Sequence, residues 1–246
     1  MSRLPSAPLL EVIFELRWKI LNQSDLAKSQ YLHGDLYSIL KTDYPFRESL
    51  APPEVPAAVL VNKPVYRFRR AKDEYPLIQI GPGLLTLNTT DEEYFWGAYF
   101  ESSTKLLNAF YNAYSSGKEI KVAPSLAYVD FFQTKSQEEN IIQFINDNLA
   151  IKINQGFFKE NRPPNNLNLG INYNIDFGSL SINLNTGKNS KQQSGLILQT
   201  KIIGKENNYT SDGILSWLKD AHEMCSRLFK NMTKGQLYET FKMDQL

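Results

Sequence analysis

Between Leu167 and Leu184 apolar and polar residues alternate almost without error: Leu167, Leu169, Ile171, Tyr173, Ile175 and Phe177 interleave with Asn168, Gly170, Asn172, Asn174 and Asp176. A two-residue period sustained over such a stretch belongs to an antiparallel sheet with one face on a core and one in water. Strands of a parallel sheet, buried on both faces, read instead as unbroken apolar runs. The pattern constrains architecture and leaves chemistry open.

A chain of 246 residues lies near the size at which single cores stop growing, roughly 250 residues, so it can build one large domain or two intimate halves. The hydrophobic fraction of 42%, with 12% aromatic residues, supplies ample core. With 27 basic against 26 acidic side chains, no net field recruits a polyanion. A lone cysteine, Cys225, excludes an intramolecular disulfide. Met1 to Pro8 has no apolar signal core, and no later run approaches the roughly 18 apolar residues of a membrane helix. The expectation is a cytoplasmic protein with no membrane partner.

Leu10, Val12, Phe14, Leu16, Trp18 and Ile20 alternate with Glu11, Ile13, Glu15, Arg17 and Lys19 and predict a first strand from Leu9. A helix capped by Ser24 is expected next, with a stripe of Leu32, Leu36, Ile39 and Leu40. Val59 to Arg70 reads as a strand, and Leu77 to Asn88 as a hairpin turning at Gly81-Pro-Gly83. Thr90 and Glu93 form a capping-box pattern before a helix carrying Trp96, Phe100, Leu107, Phe110, Tyr111 and Tyr114. Ile120 to Phe132 returns as a strand in which Pro124 marks an edge or a bulge. The second half has an amphipathic stretch around Ile141 to Leu149 and three strands (Leu167–Phe177, Leu180–Asn185, Gly195–Ile203). It closes with a helix whose stripe is Ile214, Leu218, Ala221, Cys225, Leu228 and Met232.

Strand groups followed by helices, twice over, argue an α+β fold of antiparallel sheet with helices packed on one face. Residues 1–133 and 134–246 read as two tightly packed α+β halves, a duplicated ferredoxin-like or similar unit. The competing shape is a single curved sheet gripping one long helix.

The run Pro8-Leu-Leu-Glu-Val-Ile-Phe-Glu-Leu-Arg17, then Ile78-Gln-Ile-Gly-Pro82 leading to Leu87-Asn88, with Tyr94 and Trp96, resembles an uncharacterised, sporadically distributed prokaryotic family. Asp220, His222, Phe229, Thr233, Leu237 and Phe241 match that family's terminal helix and tail. Where members carry a Gly-Leu-Arg-Tyr-Ile-Asn strand, this chain has Ser125-Leu-Ala-Tyr-Val-Asp130 and loses the arginine. The resemblance implies a stand-alone protein with the patchy distribution of mobile or phage-defence genes, and it supplies no catalytic residues.

Reactive side chains are few: His33, His222 and Cys225 are the whole complement of imidazole and thiol. His222 and Cys225 lie three apart on one helix, but two ligands fall short of a zinc site, and a thiol on the apolar stripe reads as core packing. Glu11 and Glu15 lie on the outer face of the first strand, where Arg17 is their expected ion-pair partner. Neither catalytic residue nor cofactor is expected.

Two surface candidates remain. Lys63, Arg67 and Arg69 share one face of the Val59–Arg70 reading, opposite Tyr66 and Phe68, the raw material of a nucleic-acid platform or of a solvated basic face over buried rings. Tyr94, Phe95 and Tyr99 crowd the start of the second helix, where rings on all sides cannot all be core, and exposed rings mark interfaces. The leading expectation is therefore a non-enzymatic protein that binds another protein or itself, as an accessory or regulatory component of a defence-type module. RNA or single-stranded DNA binding is the alternative. A small-ligand or enzyme role in a cavity between sheet and long helix comes third, and would rise with convergent polar groups in a deep pocket.

Overall fold

The computed structural model describes residues 4–90, 94–115, 120–134, 140–156 and 164–243. In chain order the elements are β1 (Leu9–Trp18), α1 (Gln23–Leu40), β2 (Phe46–Ser49), a short helical turn (Ala57–Leu60), β3 (Tyr66–Arg69), β4 (Leu77–Gly81) and β5 (Leu84–Thr90). There follow α2 (Trp96–Phe110), which ends in a wider turn over Tyr111–Ser115, then β6 (Ile120–Gln133) and α3 (Ile141–Asn148). The chain continues through β7 (Asn168–Ile175), β8 (Gly178–Lys188), β9 (Ser194–Gly204), β10 (Asn207–Tyr209), α4 (Ser211–Met232) and α5 (Gln236–Thr240).

The α+β class holds, with the ten strands of the described residues in one antiparallel sheet of order β2-β3-β4-β5-β1-β6-β9-β8-β7, and β10 beside β6. The central pair is β1 and β6, aligned so that Phe14 faces Leu126. Outward from β1 the meander returns through β5, β4 and β3, and outward from β6 through β9, β8 and β7. Strand, helix, meander and helix thus recur in the same order on either side of the β1–β6 seam. The topological repeat begins at β6 itself.

Alternation along β1 buries Val12, Phe14, Leu16 and Trp18 and leaves Glu11, Glu15 and Arg17 on the other face. The buried set joins one continuous cluster with Leu32, Leu36 and Leu40 of α1, Leu106, Leu107 and Phe110 of α2, and Ile214, Leu218, Ala221 and Cys225 of α4. On the outer face Arg17 binds Glu15 at 2.7 Å, and Lys201 approaches the same carboxylate at 3.7 Å.

Several local readings are corrected. The cap of α1 is Asn22 rather than Ser24: its Oδ1 accepts from the Asp25 amide at 2.9 Å while the Asp25 carboxylate accepts from the Leu21 amide at 3.1 Å, so the two ends of the turn satisfy each other. Ile39 leaves the α1 stripe and is 51% exposed. Thr90 closes β5 opposite Glu11 instead of capping α2, and Glu93 lies outside the described residues. The strand expected from Val59 shrinks to Tyr66–Arg69, while β2 and β10, too short to show a period, have no signal in the sequence. Pro124 marks no sheet edge, for β6 is central. It sits where the neighbour of β6 changes from β10 (paired to residues 120–122) to β9 (paired from Ser125), so its missing N–H breaks no ladder bond there. Among the described residues no helix is long and apolar enough to cross a membrane.

Candidate functional site

α4 forms one wall of the site. Its start is fixed by Thr210, whose hydroxyl accepts from the Gly213 amide at 3.1 Å, with Asp212 in the first turn and Lys230 in the last, each sign opposite the local helix-dipole charge. Ile214, Leu218, Ala221 and Cys225 dock into the core. On the adjoining flank, His222, Ser226 and Phe229 follow at helical spacing, and with Tyr128, Asp130 and Thr200 of β6 and β9 they bound a cavity of about 610 Å³. Its other walls come from Leu4, Pro5, Ala7, Pro8 and Leu9 and from Tyr238 and Lys242 near the other end of the chain. These two walls are tied to each other, the Ser6 amide donating to the Phe241 carbonyl at 3.1 Å and its hydroxyl to the Met243 carbonyl at 2.6 Å.

The third side is the entry into α2. Phe95 has extended backbone, so Tyr94 turns inward while the Phe95 ring stays 53% exposed at the cavity rim. The Tyr94 hydroxyl lies 2.7 Å from that of Tyr128, which in turn lies 2.7 Å from His222 Nδ1. The His222 ring stacks on Trp96 with centroids 3.6 Å apart and planes 8° from parallel.

Burial makes this chain neutral. It pushes both phenols, Tyr94 and Tyr128, well above their ordinary value, because a phenolate would be poorly solvated there. For the same reason it holds His222 down to about 4, with the Lys230 charge acting in the same direction. Next to it the Cys225 thiol is pushed up to about 12, first by desolvation and then by the negative charge of Asp130. A neutral imidazole bonded through Nδ1 keeps either a proton or a lone pair at Nε2, and among the described residues the buried Nε2 has no partner. Among the described residues no group of three or more His, Cys, Asp or Glu side chains is arranged to hold a metal ion.

The six surface candidates scatter. Tyr94 belongs to the cavity, and Phe95 stands at its rim. Tyr99 is only 4% exposed and donates its hydroxyl to the Leu87 carbonyl at 2.9 Å, so it is core and not an interface residue. Lys63 lies in the turn before β3 and so shares no strand face with Arg67 and Arg69. Both of those arginines are drawn to Glu48 of β2, at 3.6 and 3.7 Å, and Arg69 also donates to the Glu74 carbonyl at 2.8 Å. The Tyr66 ring is stacked on His33, with centroids 3.8 Å apart, and carries the Arg47 guanidinium at 5.0 Å.

Sequence reasoning missed Tyr128, Asp130 and Trp96 as parts of one site, and treated His222 as a flank of Cys225. The residues were visible in the strand and helix patterns. Their convergence was not, because it depends on α4 crossing β6 beside the start of α2. Comparison with protein-family models, with curated proteins and with solved structures finds no match to this chain.

Proposed function

We propose that this protein is a non-enzymatic small-molecule binder whose site is the cavity between α4, β6 and the two chain ends. The observation that carries the reading is a space of about 610 Å³ whose mainly apolar walls enclose the Tyr94–Tyr128–His222 chain, the combination by which a pocket holds a ligand's bulk and fixes its orientation. A cysteine-based covalent reaction is disfavoured: the Cys225 thiol is 3% exposed, and burial pushes it up to about 12 while holding the neighbouring His222 imidazole down to about 4, against the thiolate–imidazolium pair that activates a cysteine.

The test is a fluorescence titration with phenylnaphthylamine, an uncharged probe that brightens in apolar surroundings. One saturable site is expected. Ala7, on the cavity wall, is changed to Trp to fill the space, and Ala7→Trp should abolish the signal with the unfolding midpoint retained. No saturable binding, or binding indifferent to Ala7→Trp, would dispose of the reading.

A second reading, self-association, rests on β7. It is the outermost strand, eight residues long, with no charge and no proline, and Tyr173 on it is 50% exposed. Exposed edges of that kind are templates for strand addition, whereas the opposite edge, β2, is four residues long and carries Arg47 and Glu48. Sedimentation velocity should show a dimer that Tyr173→Lys dissociates. A monomer across the accessible concentration range removes this reading.

A further inference from the structure

We infer that the ligand of this cavity is an apolar molecule bearing a carbonyl-type oxygen, which accepts a hydrogen bond from the Tyr94 hydroxyl. The inference rests on the cavity reading above and adds the polar group that the occupant carries.

Protons outnumber bonds in the Tyr94–Tyr128–His222 chain. Each phenol owns one O–H and the neutral imidazole one N–H, yet only two bonds link the three groups, Tyr94 to Tyr128 and Tyr128 to His222 Nδ1, both 2.7 Å long. The Tyr128 hydroxyl therefore gives its proton to one neighbour and receives from the other. If it donates to Nδ1, Tyr94 donates to it, and the imidazole proton sits on Nε2, which is buried and among the described residues has no partner. If it donates to Tyr94, the imidazole proton sits on Nδ1, and the Tyr94 hydroxyl has to donate elsewhere. Among the described residues no acceptor meets it, for its one hydrogen bond is to Tyr128. Either order leaves one donor over, and a buried donor without an acceptor costs its full desolvation.

The two orders differ in where that donor stands. Nε2 belongs to a ring stacked on Trp96 and is itself buried. Tyr94 is half-buried and lines the cavity, so the second order alone offers its proton to an occupant. A hydroxyl or amine on the ligand would add a donor of its own to the surplus, whereas a carbonyl oxygen only accepts. Leu4, Pro8, Leu9 and Phe229 take the apolar remainder.

The experiment displaces phenylnaphthylamine with acetylnaphthalene and with ethylnaphthalene, which share one carbon skeleton and differ by the carbonyl oxygen, from the wild type, Tyr94→Phe and Tyr31→Phe. Tyr31 is 74% exposed on α1 and does not line the cavity. Tyr94→Phe removes only the hydroxyl. It should weaken acetylnaphthalene about fivefold, the worth of one neutral hydrogen bond, and leave ethylnaphthalene unchanged, while Tyr31→Phe should change neither. A second readout needs no substitution: in the acetylnaphthalene complex the imidazole nitrogen resonances should place the His222 proton on Nδ1. Where phenylnaphthylamine binds the wild type, the carbonyl assignment is overturned by any of four results: no displacement by acetylnaphthalene, equal weakening of the two competitors, no weakening of the ketone, or a proton on Nε2. The cavity reading survives each of them. If phenylnaphthylamine itself does not bind, both fall together.

Discussion

Acidification should destabilise this protein through His222. The imidazole has an ordinary value near 6.5 in the unfolded chain and about 4 in the folded one, so between those limits the unfolded chain binds more protons and stability falls as pH falls. The contribution is complete above about pH 6.5, and below about pH 4 nothing further is lost. At about 1.4 kcal/mol per unit, moving from about pH 7.5 to about pH 5 removes about 2 kcal/mol. Residual solvent screening at the cavity wall makes this an upper value. Urea unfolding at the two pH values measures it. His33, lowered by burial and by Arg47, contributes in the same direction, so the decisive quantity is a difference between proteins. His222→Asn is expected to be less stable at both pH values, having lost the Trp96 stack, but its stability should fall about 2 kcal/mol less than that of the wild type on acidification. With only two histidines in the chain, imidazole proton resonances give a direct check. A His222 that titrates near 6.5 in the folded protein, or equal losses in the two proteins, would show that the ring is not held in a dry, hydrogen-bonded chain.

Three further outcomes follow from the packing and the charges. The Cys225 thiol, 3% exposed and pushed up to about 12, should react with a thiol reagent at least a hundredfold more slowly in native protein than in urea, about the ratio expected when reaction awaits opening; comparable rates would place it at the surface. Phe14→Ala empties the middle of the β1–β6 seam, where Phe14 is 1% exposed, and should cost about 3 to 5 kcal/mol by urea unfolding. Glu48→Gln releases Arg67 and Arg69 from their shared carboxylate and should confer weak, salt-labile retention on heparin, whereas wild-type protein elutes without delay. Retention of the wild type would show that the basic strand is not neutralised.

How much of this was legible differs from element to element. The alternation in β1, β8 and β9 and the stripe of α4 announced themselves because each element buries one face, and a period of two or of about 3.6 residues records which face that is. The Arg17–Glu15 pair was readable for the same reason, being two residues apart on one strand. Where tertiary partners supply the stabilisation, the signal vanishes. β2 survives through its pairing with β3, Pro124 is tolerated at the change of neighbour along β6, and Tyr99 is buried because the Leu87 carbonyl on β5 accepts its hydroxyl.

Local sequence therefore decided the antiparallel α+β character, the helical stripe of α4 and the scarcity of reactive groups, since each depends on residues close together along the chain. Tertiary structure alone decided the site. Tyr94, Tyr128 and His222 are separated by 34 and 94 residues, and the dry surroundings that keep them neutral, like the Glu48 that occupies the two arginines, are brought by elements whose approach no local pattern encodes.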